Sequence, residues 1–202
     1  MNFNTNLWDE TEAKEFGEFE TLALGGHAVK ILNAMEYTSE FSGNTSLKVS
    51  IDIDDSDEQA GFFKKQFDEN TNSDKRWPSG ATRYLSLKDE QLAYLKGFIT
   101  SLEKSNPNFK FDVKGKWEQL KGLKCAGVFG LEEYTKEDGS VATATKITNF
   151  RSLDKLSEIK IPKVKLLDGS TVDYETYQAN KVNGTTNDSS NCIEITGDML
   201  PF

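Results

Sequence analysis

Histidine, cysteine and proline are scarce in this chain, and basic residues are nearly absent from its C-terminal part. The 202 residues include one histidine, His27, two cysteines, Cys125 and Cys192, and four prolines. Two cysteines far apart in sequence make neither a disulfide framework nor a four-ligand zinc set, which suits a reducing compartment. A Ser-His-Asp or Cys-His arrangement would rest on His27 alone. Neither G-x-x-x-x-G-K-[ST] nor G-x-G-x-x-G occurs, so no nucleotide cofactor is implied. The N-terminus, "MNFNTNLWDETEAKEFGEFE", has no basic segment followed by an apolar one and does not read as a secretory signal. No apolar run approaches the roughly 20 residues a bilayer span requires. The expectation is a soluble, cytoplasmic protein that binds rather than catalyses, with no cofactor, metal or membrane partner.

Charge is present but unevenly spread. The formal net charge is −9, which argues against a polyanionic partner if taken as an average. Residues 1–60 carry 3 Lys/Arg against 13 Asp/Glu, residues 61–165 carry 20 against 14, and residues 166–202 carry 1 against 6. Charge is screened over about 8 Å at physiological salt, so a ligand senses the local patch. A basic middle between acidic ends is compatible with an anion bound along the middle.

The acidic run 52–58, "DIDDSDE", does not fit a calcium loop, which needs glycine at its sixth position and glutamate at its twelfth. From Asp52 those positions are Asp57 and Phe63, and from Asp54 they are Gln59 and Lys65. A solvated strand end and turn is the better reading. "EIK" at 158–160 is too short to identify a nuclease site.

Periodicity organises the centre. Leu47, Val49, Ile51 and Ile53 alternate with Ser46, Lys48, Ser50 and Asp52, the pattern of a strand with one buried face. "HAVKILNAMEY" before it and "GFFKKQF" after it are further strand candidates. Leu92, Leu95, Phe98, Ile99 and Leu102 recur at helical spacing, which predicts an amphipathic helix over about 86–104 capped by Ser86. "LKGLKCAGVFGLEEYTK" and "SVATATKITNFRSL" flank Asp138-Gly139, a hairpin signal. The order is three strands, one helix and two strands, that of a five-stranded, OB-fold-like Greek-key barrel. It gives an N-terminal extension over 1–23, an OB-like domain over 24–165 and a flexible acidic tail over 166–202, with "KVNGTTNDSSN" expected to be disordered.

Aromatic and basic residues interleave within this domain. Lys64, Lys65, Arg76, Arg83, Lys146 and Arg151 are the candidates to neutralise phosphates. Trp77, Tyr84, Tyr134 and Phe150 are the candidates to stack on bases, Trp77 foremost because a polar loop gives an indole little to pack against. Phe62, Phe98 and Phe129 are the rings first assigned to the core. The nucleic-acid reading requires these cations and rings to converge on one open groove.

The terminal "GDMLPF" resembles the C-terminal tip of bacterial single-stranded DNA-binding proteins, acidic residues followed by an apolar segment closing on Pro-Phe. The resemblance implies that Asp198, Met199, Leu200, Pro201 and Phe202 dock on replication or recombination proteins. This copy is less acidic than that pattern, with only Glu194 and Asp198 nearby. The stretches "LGGHAVKI", "KRWPSG", "YLKGFITSLEKSNPNFKFD" and "LKGLKCAGVFGLEEY" resemble proteins of bacteriophages and prophages of Gram-positive bacteria, found among replication and recombination functions. Together they imply a phage-encoded protein of the host cytoplasm that coats single-stranded DNA without sequence preference. The alternatives are a protein-interaction adaptor or DNA-mimic inhibitor, and a metal-dependent nuclease using the carboxylates of 52–58. A homo-oligomer is left open.

Overall fold

The alternating segment forms a strand with one buried face, and Leu47, Val49, Ile51 and Ile53 are all at 2% exposure or less. The computed structural model describes residues 20–187, with side chains as far as Lys181. Strand β2, Thr45–Ile53, runs antiparallel to both of its neighbours, β1 (Gly25–Thr38) and β3 (Thr82–Ser86). The first half of β1 pairs on its other edge with β4 (Lys124–Thr135), whose hairpin partner is β5 (Val141–Arg151). The expected turn joins them: Gly139 has a φ of +81°, and Asp138 Oδ1 accepts from the Ser140 N–H at 2.9 Å.

Beyond β1, β4 also pairs in parallel with the short β6 (Val164–Lys165), which carries β7 (Thr171–Val172). The protein is therefore mainly β, built on one large mixed sheet. Among the described residues no ladder joins β3 to β5, so the sheet is not closed. The two strands nonetheless approach each other beside Gly80, where a Cβ would sit 2.5 Å from the Thr145 carbonyl oxygen.

Three α-helices accompany the sheet among the described residues: α1 (Phe62–Glu69), α2 (Leu92–Ser105) and α3 (Tyr174–Asn187). The predicted amphipathic helix is α2, which buries Phe98, Ile99 and Leu102 and sets Phe98 4.5 Å from Phe150. Ser86 does not cap it. Ser86 ends β3, and its Oγ accepts from the Lys88 N–H at 3.2 Å while a 3-10 turn, Asp89–Gln91, leads into the helix. Phe62, Phe98 and Phe129 are core residues as expected, at 7%, 3% and 0% exposure.

The third strand is not "GFFKKQF" but "TRYLS". Phe62 and Phe63 open a helix and are both buried, at 7% and 3% exposure. Gly61 turns the chain at φ +68°, and Asp52 Oδ1 then accepts from the N–H groups of Ile53 and Phe63, fastening α1 to the end of β2. The C-terminal part also departs from expectation. Residues 166–187 contribute to the β6–β7 hairpin and to α3, and Glu133 on β4 holds both, accepting from the Leu167 N–H at 3.2 Å and the Tyr177 hydroxyl at 2.9 Å. The leader 1–19 and the tip Asp198–Phe202 lie outside the described residues.

The acidic run has a structural role. Asp54, wholly buried, accepts from the Ser56 N–H and hydroxyl, and both its oxygens lie within 3.0 Å of Lys124 Nζ on β4. Asp57 accepts from the Ala28 N–H at 2.9 Å and lies 3.0 Å from His27 Nδ1, while His27 Nε2 lies 3.0 Å from the Ala23 carbonyl oxygen. Burial works against both carboxylates, yet Ser56 and Lys124 for Asp54, and His27 and backbone N–H groups for Asp57, outweigh it and hold each pKa below the ordinary value. No helix among the described residues is long and apolar enough to cross a membrane.

Depressed carboxylate pKa values contribute stability that is present above the unfolded value near 4 and lost as pH falls through the folded values. Asp54→Asn is therefore expected to cost about 1–3 kcal/mol at pH 7. Urea unfolding at pH 7 and pH 3 checks this, since the gap between wild type and variant should narrow at the lower pH.

Candidate nucleic-acid interface

The cations and rings singled out in the sequence do not converge on one groove. Lys64 and Lys65 lie on α1, paired with Asp68 and, at 3.8 Å, with Glu20. Arg76 lies at a cavity of about 580 Å³ beside the β3–β5 seam. Lys146 on β5 lies 3.1 Å from Glu132, a carboxylate shared with Lys165 at 2.6 Å. The hydrogen bonds of Lys165 and Lys146 hold the Glu132 pKa down against partial burial. Arg151 is exposed at the far end of β5, and Tyr134, 41% exposed, lies near the β4–β5 turn.

Phe150 is buried, and Trp77 and Arg83 are half-buried and turned toward the core. Phe150 is 4% exposed and packs on Phe98, so it presents no face to a base. Trp77 is half-buried, its ring 5.6 Å from Phe67 and its Nε1–H donated to the Ile51 carbonyl at 3.1 Å. A polar loop does not leave this indole free, because the loop folds back over β2 and α1. Arg83 stands opposite Val49 on the core side of β3, where burial lowers its pKa and the Glu132 charge acts against that fall. Its buried Nε has no hydrogen-bond partner among the described residues.

A different surface emerges from the strand register. On the solvent side of β1, β2 and β3, directly opposed residues form three rows: Asn33, Ser50 and Thr82; Met35, Lys48 and Tyr84; Tyr37, Ser46 and Ser86. The intervening positions Ala34, Leu47, Val49 and Leu85 are buried, which sets the nine residues outward. A bulge in β1 between Ile31 and Asn33 brings Asn33, Met35 and Tyr37 to that side.

This platform contains no carboxylate, in a chain whose formal charge is −9. Glu36, the acidic neighbour within β1, pairs with Leu47 in the other row and accepts from Trp117 Nε1 at 3.0 Å. Tyr37 and Tyr84 are 40% and 47% exposed, with ring centroids 5.4 Å apart and planes tilted by 57°. Lys48 Nζ lies 5.8 Å from the Tyr37 ring centre, within cation–π reach. Ser46, Ser86 and Thr82 are small residues of the same rows. At the tip of the β1–β2 connection Phe41 is fully exposed.

Of the residues named from the sequence, only Tyr84 belongs to this platform; Met35, Tyr37 and Lys48 were missed. The signal was present as alternation, Asn33, Met35 and Tyr37 between Ala34 and Glu36, and Lys48 between Leu47 and Val49. Two exposed rings with a cation and small hydroxyls suit flat, stackable ligands with anionic backbones. Among the described residues no group of three His, Cys, Asp or Glu is placed to hold a metal ion.

Because the Trp77 N–H closes a bond to β2, Trp77→Phe is expected to lower stability by about 1 kcal/mol, measured by urea unfolding, with the platform residues unperturbed.

A scan of family models finds none that matches the chain, and a search of curated proteins finds no match.

Proposed function

We propose that this chain is a single-stranded DNA-binding protein of the OB type, acting without sequence preference in bacteriophage replication or recombination. The observation that carries the reading is the exposed Tyr37–Tyr84 pair with Lys48, on a patch whose nine outward residues include no carboxylate. The strand order supports it: β1 lies between β2 and β4, α2 connects β3 to β4, and β5 faces β3 across the open seam. Bases stack on Tyr37 and Tyr84, Lys48 compensates a phosphate, and Phe41 offers a further ring at the edge. The resemblance of Asp198, Met199, Leu200, Pro201 and Phe202 to a partner-docking tip supports a second role, recruitment of replication or recombination proteins to the coated strand.

The test is anisotropy of a labelled oligo-dT titrated with the full chain at low and moderate salt. Tyr84→Ala and Tyr37→Ala are each expected to weaken binding by about 5- to 150-fold, the equivalent of one base–ring stack of about 1–3 kcal/mol, while the variants lose only about 1 kcal/mol of stability and stay folded. Lys48→Glu should weaken it further at low salt than at high salt. A folded wild type with no affinity for oligo-dT at low salt would overturn the reading in favour of a protein-interaction adaptor.

A further inference from the structure

Away from the platform, the end of β5 and the segment after it enclose a recess of about 550 Å³. Arg151, Lys155, Lys160 and Lys163 line it, against two carboxylates, Glu158 and Asp173. Those acids are engaged: Glu158 lies 3.0 Å from Lys155 and Asp173 lies 3.3 Å from Lys163. Arg151 and Lys160 are exposed, and no carboxylate is paired with either among the described residues. The 3-10 helix Leu153–Glu158 sets Lys155 beside Glu158, whose hydrogen bonds raise the Lys155 pKa against a smaller opposing effect of the Arg151 charge. That helix is itself anchored, by the Leu153 N–H donating to Ser105 Oγ at 2.9 Å and by Leu156 and Ile159 lying against Gly26 of β1. Cations gathered in a concave site on an otherwise acidic protein raise the local concentration of anions.

We propose that this recess binds a phosphate group, supplied in the proposed reading by the DNA strand as it continues beyond the platform. The recess adjoins Gly26, nine residues along β1 from Met35, or up to about 30 Å of extended chain. A short oligonucleotide on the platform would not reach it, and a longer one would. Arg151 offers a planar fork for two phosphate oxygens and Lys160 a mobile point charge, so the two substitutions should differ in degree but not in sign.

Two measurements on the full chain test this. Inorganic phosphate added to nitrogen-15-labelled protein should shift the backbone amides of Asn149, Arg151 and Lys155 and leave those of Asp112 and Gly115 unmoved. For the double variant Arg151→Ala with Lys160→Ala, affinity for a short oligo-dT should be unchanged. For a long one, the slope of log affinity against log salt should fall by about 0.7 for each phosphate that the variant no longer neutralises. Phosphate shifts with an unaltered slope would make the recess a site for free phosphate and overturn the DNA path. Absence of both effects would overturn the site. If wild type binds no oligo-dT at all, the DNA-binding reading falls by itself, and the phosphate shifts alone decide for or against the recess.

Discussion

The two-sidedness of β2 is the constraint on which the rest of the structure depends. Leu47, Val49 and Ile51 are completely buried on one side, while Ser46, Lys48 and Ser50 stand on the other. A slip of one residue in either neighbouring ladder would turn apolar groups to water and polar groups to the core, so the register of β1 and β3 is fixed by that burial. Fixing the register also fixes what faces solvent. The platform is thus a by-product of core formation, rigid because the opposite face is packed.

Several charges among the described residues are engaged by internal contacts, and an average of −9 says little about the local patch a partner meets. Asp52 fastens a helix to a strand, Asp54 joins β2 to β4 through Lys124, and Asp57 ties β1 to the following loop through Ala28 and His27. Lys64, Lys146 and Lys165 are likewise engaged by Asp68 and Glu132. What remains available to a ligand is decided by which charges are left over. On the platform that is Lys48, and in the β5 recess it is Arg151 and Lys160.

The parts legible in the sequence were those where one short period dominates. The β2 alternation, the α2 repeat through Phe98, Ile99 and Leu102, and the Asp138-Gly139 turn each depend on neighbours within a few residues. "FFKKQF" is misleading because an aromatic run suits a strand by composition, whereas here the segment follows a left-handed Gly61 and the remote Asp52 carboxylate receives the first turn of a helix. Trp77 misleads for a related reason. Its loop is polar, but the indole finds an apolar neighbour in Phe67 and an acceptor in Ile51, both brought close only by folding.

By itself the sequence determined a mainly β chain with one strong amphipathic helix, and which side of β2 would be wet, because these follow from local period and the transfer of apolar groups out of water. Only the tertiary structure decided which rings share the wet side. Tyr37 and Tyr84 stand on strands that flank β2 from opposite edges, far apart along the chain. They meet because opposed residues on paired strands lie about 5 Å apart and large rings reach across the diagonal, a proximity that register creates and local sequence does not encode.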